Sequence, residues 1–391
     1  MLLQKYAKPI VLVIAPSSYG HKHRPLSFDL LCVVRGGRYF APNGMPSRVF
    51  PVCGESDGGF KRAALHRLVK SGGFSTKACC RGGNNLQNSY QASHSVQQTV
   101  SIIIVNYNAG TLLSRCVESV LAQSDEIIIV DNASADFSTD TVASAWPRVR
   151  IIKNDRNIGF ATACNMGARV ASAPFLLFLN PDSSFKPGVL AQLLDTMLAD
   201  KRVGMVGGLL ANPDGTEQGG GRRAVPTPWR SFVRAFGLHR FQNRWPKLFF
   251  DFHLHKQPLP DRPIEVEAIS GACMLIRREA VMDVGWWDEG YFLHCEDLDW
   301  CMRFRQKGWK ILFVPSARVT HALGVCGRRR PIFVEWHKHR GMLRFYRKFF
   351  QHQYPGGLMW LVTLGVWLRF SLVAARHMVK RTVRVLGFGR E

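Results

Sequence analysis

The sequence predicts an α/β protein, a mostly parallel sheet with flanking helices. Three observations predict it. Short runs of Val, Ile and Leu recur between residues 99 and 322, stretches with helical spacing separate them, and the runs end on polar clusters. A strand that is apolar at every position must be covered on both faces, as crossover helices cover a parallel sheet.

The elements follow in order. VSIIIVNYN (Val100–Asn108) is a buried strand ending in a polar turn, and Thr111–Gln123 has helical spacing. EIIIVDNAS (Glu126–Ser134) is a second strand, a helical stretch near Ser138–Ala145 follows, and VRIIKN (Val149–Asn154) is a third strand. Gly159–Ala171 reads as a helix, and PFLLFLN as a fourth strand that stops at Asn180-Pro181-Asp182. Asn212-Pro213-Asp214-Gly215 suggests a hairpin within Met205–Gln218. Gly219–Pro263 is irregular, basic and aromatic, like a long insertion or mobile loop. EVEAISGACMLIRREAVMDVG gives a strand, a small-residue turn and a helix. Gly290–Gly308 gives a turn and a helix, and KILFVPSARVTH a strand ending on His321.

Ligands of such sheets bind beyond the carboxyl ends of the strands. Four polar clusters lie there: Asn106–Asn108, Asp131–Ser134, Asn157–Ala168 and Asn180–Asp182. Any one alone could be a strand-end turn, where Asn and Asp are common. Four in register with one sheet point to a site.

Formal net charge is +24, and its placement is informative. Residues 1–98 hold 13 Lys/Arg against 3 Asp/Glu, residues 322–391 hold 14 against 2, and the middle is nearly balanced. Basic flanks attract phosphates, of nucleic acid or of an anionic membrane face. Residues 1–98 are rich in Gly, Ser, Arg and Cys without periodicity, as in a poorly ordered basic extension; a small independent domain is the other reading. The opening MLLQKYAKPIVLVIAPSS makes a poor secretory leader, its apolar run being short and broken by Pro9. The 10 cysteines show no C-x-x-C pair, which argues against a zinc site or disulfide framework and for a reducing, cytosolic setting.

Residues 323–391 form a basic, aromatic and apolar helical region expected to associate with a membrane. Glu335–Gln353 has helical spacing, and Leu358–Leu368 is uncharged before Arg369 interrupts. A span needs about 20 apolar residues, so a helix pair lying in the membrane surface is expected. A tilted span and a soluble packing helix are the alternatives.

No G-x-G-x-x-G follows the first strand and no P-loop occurs, so hydride and phosphoryl transfer lack their phosphate cradle. SIIIVNYN, IIIVDNASAD, NIGFATACNMGAR, LFLNPDSSF, SGACMLIRREA and GWWDEGYFLHCEDLDWCMRFRQKGWKILFVPSARVTH together resemble family 2 glycosyltransferases. These have the GT-A fold, a Rossmann-like nucleotide-binding sheet, and the likeness is to rhamnosyltransferase-like members that build bacterial surface polysaccharides. It spans roughly residues 100–350 and gives residues 1–98 no counterpart.

The resemblance implies an inverting transfer from a nucleotide-diphosphate sugar to a hydroxyl of a glycan or polyprenyl-linked acceptor. It places the enzyme at the cytoplasmic face of the cell membrane, without nucleic acid. It implies Asp297 as the base. Asp182, in an Asn180-Pro181-Asp182 that replaces the family's Asp-x-Asp, and His321 would hold Mg²⁺ or Mn²⁺. Asp131 would meet the nucleobase. Asn106, Asn108, Asn157, Gly159, Asn180, Gly271 and Ala272 would line the donor site, and Trp287, Asp288, Glu289 and Glu296 the acceptor side.

Simpler readings stand beside these. A strand-end His can be structural, and Trp286-Trp287 can be core. Glu296, Asp297 and Asp299 crowd closely enough to raise at least one pKa, which suits a base, yet they also complement a helix N-terminus. Asp299 and Arg303 are spaced for a helix ion pair. A basic nucleic-acid-binding protein and an inactive membrane scaffold of the same fold are the alternative functions.

Overall fold

The computed structural model describes residues 12–16, 28–34, 38–40, 99–124, 126–322, 330–354 and 356–385. Strands β1 (Leu12–Pro16), β2 (Phe28–Val34) and β3 (Arg38–Phe40) form an antiparallel sheet. The rest of the expected extension, 1–98, lies outside the described residues.

From Val100 the chain alternates as its apolar runs dictate. The elements are β4 (Val100–Asn106), α1 (Thr111–Leu121), β5 (Glu126–Asp131), α2 (Ser138–Ala145), β6 (Arg150–Lys153), α3 (Phe160–Val170) and β7 (Phe175–Leu179). Next come β8 (Ser183–Phe185), α4 (Val189–Ala199), β9 (Val203–Ala211), β10 (Arg222–Arg223), α5 (Pro228–Ala235), β11 (Ile264–Glu265) and β12 (Ala268–Ile269). The last are β13 (Cys273–Arg277), α6 (Arg278–Val284), α7 (Glu296–Gln306), β14 (Lys310–His321), α8 (Pro331–Phe350) and α9 (Gly356–Val385).

The main sheet runs β11-β14-β9-β13-β7-β4-β5-β6, with β8 paired to β14. Pairs β4–β5, β4–β7, β5–β6 and β9–β14 are parallel. β13 is antiparallel to both neighbours. Its amino end therefore lies at the edge where the parallel strands end, and offers backbone groups to the cleft there.

Period-two alternation sorts each strand into two cores. Ile102, Ile104, Ile129 and Leu177 face Leu113 and Val117 of α1 and Leu193 of α4. Ile103, Ile128, Val130 and Phe178 face Ala161 and Ala168 of α3 and Trp300 and Phe304 of α7. Burying each such aliphatic side chain contributes about 1.5–3 kcal/mol.

Three expectations change. The hairpin reduces to a turn: Ala211 bridges Glu217, and the Asn212 N–H donates to the Thr216 carbonyl at 2.9 Å. The insertion 219–263 contains β10 and α5 and is pinned by Arg222–Glu217 at 2.8 Å, Arg230–Glu267 at 2.7 Å and Arg234–Asp251 at 2.8 Å. The strand of the EVEAISGACMLIRREAVMDVG segment lies mainly after its small-residue turn, as β13, rather than before it.

The expected helix pair is present. α8 buries Leu343, Phe345, Tyr346 and Phe350, and its Tyr346 hydroxyl donates to Ser231 Oγ at 2.7 Å. Trp336 of α8 meets Trp367 and Phe370 of α9 with ring centroids 4.9 and 5.5 Å apart. α9 continues unbroken through Arg369. Among the described residues, Gly356–Val383 is long and apolar enough to cross a membrane, with a mean hydropathy of 1.8 over its 18-residue apolar window. Counting uncharged residues stopped short because one long-stemmed Arg does not end a helix.

Candidate active site

The loops after β4 and β5 are stitched together. Asn106 is fully buried, and its Nδ2 donates to Asp131 Oδ1 at 2.8 Å, Ser138 Oγ at 2.9 Å and Ser134 Oγ at 3.0 Å. Asp131 Oδ1 also accepts from Ser134 Oγ at 2.5 Å, and Oδ2 from the Ser134 N–H at 3.1 Å. Asn108, in the left-handed region at φ 52°, accepts from the Ala135 N–H at 2.8 Å. Asn106, Asn108 and Asp131 thus meet, and Asp131 is held rigidly at the strand end.

The third cluster joins them through Asn132, whose Nδ2 donates to the Gly159 carbonyl at 3.2 Å. Asn157 Oδ1 accepts from the Gly159 N–H at 3.0 Å, a local turn that starts α3. Gly159 has φ +90°, and a Cβ there would sit 2.8 Å from the Phe292 carbonyl oxygen. Glycine is required at this close approach.

Asp182 and His321 are each 8% exposed and meet at the far end of β14, where β8 pairs with it and sets His321 opposite Ser183. His321 Nε2 lies 3.1 Å from Asp182 Oδ1 and 3.3 Å from Asn180 Nδ2. His321 Nδ1 lies 2.6 Å from Gln218 Oε1. Gln218 Nε2 donates to Asn212 Oδ1 at 3.1 Å and to the His321 carbonyl at 3.3 Å. Its Oε1 is therefore an acceptor and Nδ1 carries a proton, with Nε2 directed at the Asp182 carboxylate and the Asn180 amide.

A lone pair facing a carboxylate oxygen is repulsive unless a cation or proton lies between them. Fixing one His nitrogen so that the other can ligate is the usual outer-shell device of metal sites. The 3.1 Å separation is that of an ordinary hydrogen bond and also leaves both atoms near enough that they would share one cation. Among the described residues no group of three or more His, Cys, Asp or Glu could hold a metal. A divalent cation here would take its remaining ligands from phosphate oxygens and water.

Asp297 stands at the N-terminus of α7. It pairs with Arg223 of β10, its Oδ1 accepts from the Leu298 N–H at 2.8 Å, and its Oδ2 from the Gly271 N–H at 3.3 Å. The next residue, Ala272, accepts from the Asn180 N–H at 3.0 Å. The amino end of β13 therefore touches both carboxylate sites. A Cβ at Gly271 would meet Asp297 and Trp287 at 3.6 Å, ordinary contact, so bulk is tolerated there.

Glu296 is the opposite case. Burial first, then the Asp297 charge, push its carboxyl up to about 8, and Oε2 has no partner. His294 and Cys295, both at positive φ, deliver the chain to this helix start. Asp299 is fully buried with Arg303 at 2.7 Å, Lys348 at 2.6 Å and Tyr291 at 3.2 Å, the expected structural ion pair with one more cation.

The acceptor candidates separate. Trp287 is buried, 4.2 Å from Trp300 and 5.2 Å from Phe178 between ring centroids. Asp288 is bound by Arg344 at 2.9 Å and Lys348 at 2.8 Å. Against its burial, Lys348, the Gly290 N–H and Arg344 hold its carboxyl down at about 2. Glu289 Oε1 accepts from Asn165 Nδ2 at 2.8 Å and lies 3.7 Å from Arg169. Trp287 and Glu296 adjoin Asp297, whereas Asp288 and Glu289 serve these contacts.

Ser138, Gln218 and Arg223 escaped sequence reasoning. The signal was a Gln and two Arg in the glycine run QGGGRR, directly after a strand-end turn. Cys116, Cys164, Cys273, Cys295 and Cys301 are buried and free, and burial raises their thiols, those of Cys273 and Cys301 to about 12.

A family model for glycosyl transferase family 2 matches residues 101–285. The N-acetylglucosaminyl-diphospho-decaprenol L-rhamnosyltransferase of Mycobacterium tuberculosis is 30% identical over 235 residues, 56% of this chain and 75% of that protein. The chain belongs to glycosyl transferase family 2. This glycosyltransferase is also similar to the O-antigen biosynthesis protein RfbC of Myxococcus xanthus, 27% identical over 252 residues, 59% of this chain and 18% of that one. A solved mannosyltransferase of Pyrobaculum calidifontis aligns at 16% identity and a TM-score of 0.43, over 74% of this chain and 81% of that one. That likeness is too loose to assign residues of this glycosyltransferase.

Proposed function

We propose that this glycosyltransferase moves a sugar, with inversion, from a nucleotide-diphosphate sugar to a hydroxyl of a glycan carried on a polyprenyl diphosphate. It works in surface-polysaccharide synthesis on a lipid-linked acceptor, as the names of its relatives suggest, and we place it at the cytoplasmic face of the cell membrane, where the apolar helix α9 supports membrane association. The observation that carries the reading is the pair of opposed sites joined by Gly271-Ala272: His321 Nε2 against Asp182 Oδ1 at 3.1 Å on one side, Asp297 on the other.

Asp131 and its hydrogen-bonded loop fix the nucleoside end. Asp182 and His321 would hold a divalent cation, Mg²⁺ or Mn²⁺, which would offset charge on the diphosphate. Asp297 takes the proton from the attacking acceptor hydroxyl as its oxygen bonds the anomeric carbon and the bond to the diphosphate breaks. Arg223 and the Gly271 N–H hold Oδ2 of Asp297, and Oδ1, which accepts only the Leu298 N–H among the described residues, has a lone pair left for that proton. The exposed apolar face of α9, with Leu361, Leu364, Leu368 and Leu372, rests on the lipid surface.

The test is a thermal-shift panel of nucleotide-diphosphate sugars with and without Mn²⁺, followed by product analysis with a polyprenyl-diphosphate glycan. Stabilisation by at least one sugar nucleotide, enhanced by Mn²⁺, with net sugar transfer of inverted configuration, is expected. A Mn²⁺-independent response, or retained configuration, defeats the scheme.

A further inference from the structure

A second concave surface lies between α8 and α9. Its volume is about 570 Å³, and Gly290, Arg340, Arg344, Arg347, Lys348 and Trp367 line it. Four cations on one face of α8 crowd into it. Asp288 faces Arg344 and Lys348, and Asp299 faces Lys348 at 2.6 Å and is shared with Arg303 at 2.7 Å. Among the described residues, Arg340 and Arg347 have no ion pair. The pocket thus carries about two uncompensated positive charges.

The seat is built rather than merely charged. A Cβ at Gly290 would fall 2.3 Å from the Arg344 guanidinium carbon, so glycine lets that plane lie on the backbone. The same guanidinium sits 5.3 Å from the Tyr291 ring centroid and is tied to Asp288. An arginine held this way loses little freedom on meeting a phosphate. Trp367 stands on the other wall, and its neighbours on α9, Leu364 and Leu368, are 51% and 59% exposed. The arginine side suits an anionic head and the exposed leucines of α9 an apolar chain. Trp suits that boundary between head and hydrocarbon.

We infer that this pocket seats the diphosphate of the lipid acceptor, two negative charges on an apolar chain. The inference rests on the acceptor class proposed above. Lys348 bridges Asp288 and Asp299, and Asp299 shares helix α7 with Asp297. A lipid diphosphate held by α8 would therefore sit against the scaffold of the base.

The experiment uses the full chain and the double variant Arg340→Ala/Arg347→Ala, whose thermal unfolding is compared first. Binding is measured to vesicles of phosphatidylcholine, of phosphatidylcholine with phosphatidylglycerol, and of phosphatidylcholine with a polyprenyl diphosphate at matched surface charge. Acceptor and donor KM are measured with a polyprenyl-diphosphate glycan. At roughly fivefold per cation, the variant should bind diphosphate vesicles about 30-fold more weakly and show a similar rise in acceptor KM. Phosphatidylcholine binding and donor KM should stay unchanged. Equal losses on phosphatidylglycerol and diphosphate vesicles with acceptor KM unmoved would overturn the proposal, leaving a general anionic-surface patch. An unchanged variant overturns it outright. Wild-type enzyme that uses no polyprenyl-diphosphate glycan defeats the acceptor class itself, a result separable from any effect of the variant.

Discussion

The two ends of the cleft handle carboxylates in contrasting ways. At the Asp182 end a carboxylate oxygen lies 3.1 Å from His321 Nε2, with Gln218 fixing a proton on the far nitrogen. At the Asp297 end the carboxylate faces a guanidinium and two N–H groups, while its neighbour Glu296 is buried beside that same charge with Oε2 unpartnered. Residue type does not set the role; what faces each carboxylate does. A carboxylate beside a histidine nitrogen is placed to share a cation, one ringed by donors is held in position, and one buried against a second negative charge keeps its proton.

The sharpest way to break the contrast is Asp297→Asn. Turnover should fall about 10²–10⁴-fold, while donor binding by calorimetry stays intact because the Asp182 end is untouched. Parallel loss of donor affinity would remove Asp297 from the base role. Asp182→Ala should cost about 10²–10³-fold in turnover and flatten the Mn²⁺ titration of activity. A retained Mn²⁺ response in that variant would contradict the cation assignment.

Gln218→Leu probes the same end one shell out. Freeing the His321 tautomer should weaken the apparent Mn²⁺ affinity about 10–100-fold with maximal rate largely recovered at saturating metal. A loss that metal cannot restore would mean that Gln218 only packs.

The smallest effect concerns Glu296. Its folded carboxyl is raised from 4.5 to about 8, so between those values the folded state binds more protons than the unfolded chain. Its contribution to stability is present in full below about pH 4.5 and fades as pH climbs toward about 8. Glu296→Gln should flatten that alkaline decline in Tm, read as the wild-type-minus-variant difference. A difference that does not change with pH would show Glu296 ionised throughout.

Much of this was legible in the sequence for a physical reason. Continuous apolar runs that end on Asn and Asp fixed β4, β5 and β7 and the residues that cap them, because both the covering of a sheet and its site edge leave local marks. The direction of β13 left none, since a five-residue apolar run pairs either way and the chain path decides. Gln218 and Arg223 lie in a stretch without periodicity, so only the folded turn brings them to His321 and Asp297. The family resemblance puts Asp288 and Glu289 on the acceptor side. Their actual partners, Arg344, Lys348, Asn165 and Arg169, come from other helices.

The buried cysteines have a practical consequence. With their thiols raised, almost no thiolate exists at neutral pH, so alkylation must wait for a seam to part. Cys295 Sγ lies 3.9 Å from the Lys338 carbonyl oxygen, beneath α8, and Cys116 Sγ lies 3.4 Å from the Asn180 carbonyl oxygen. Peptide-resolved labelling rates at these two sulfurs would time the lifting of α8 and the breathing of the Asp182 turn as independent clocks, without any added probe.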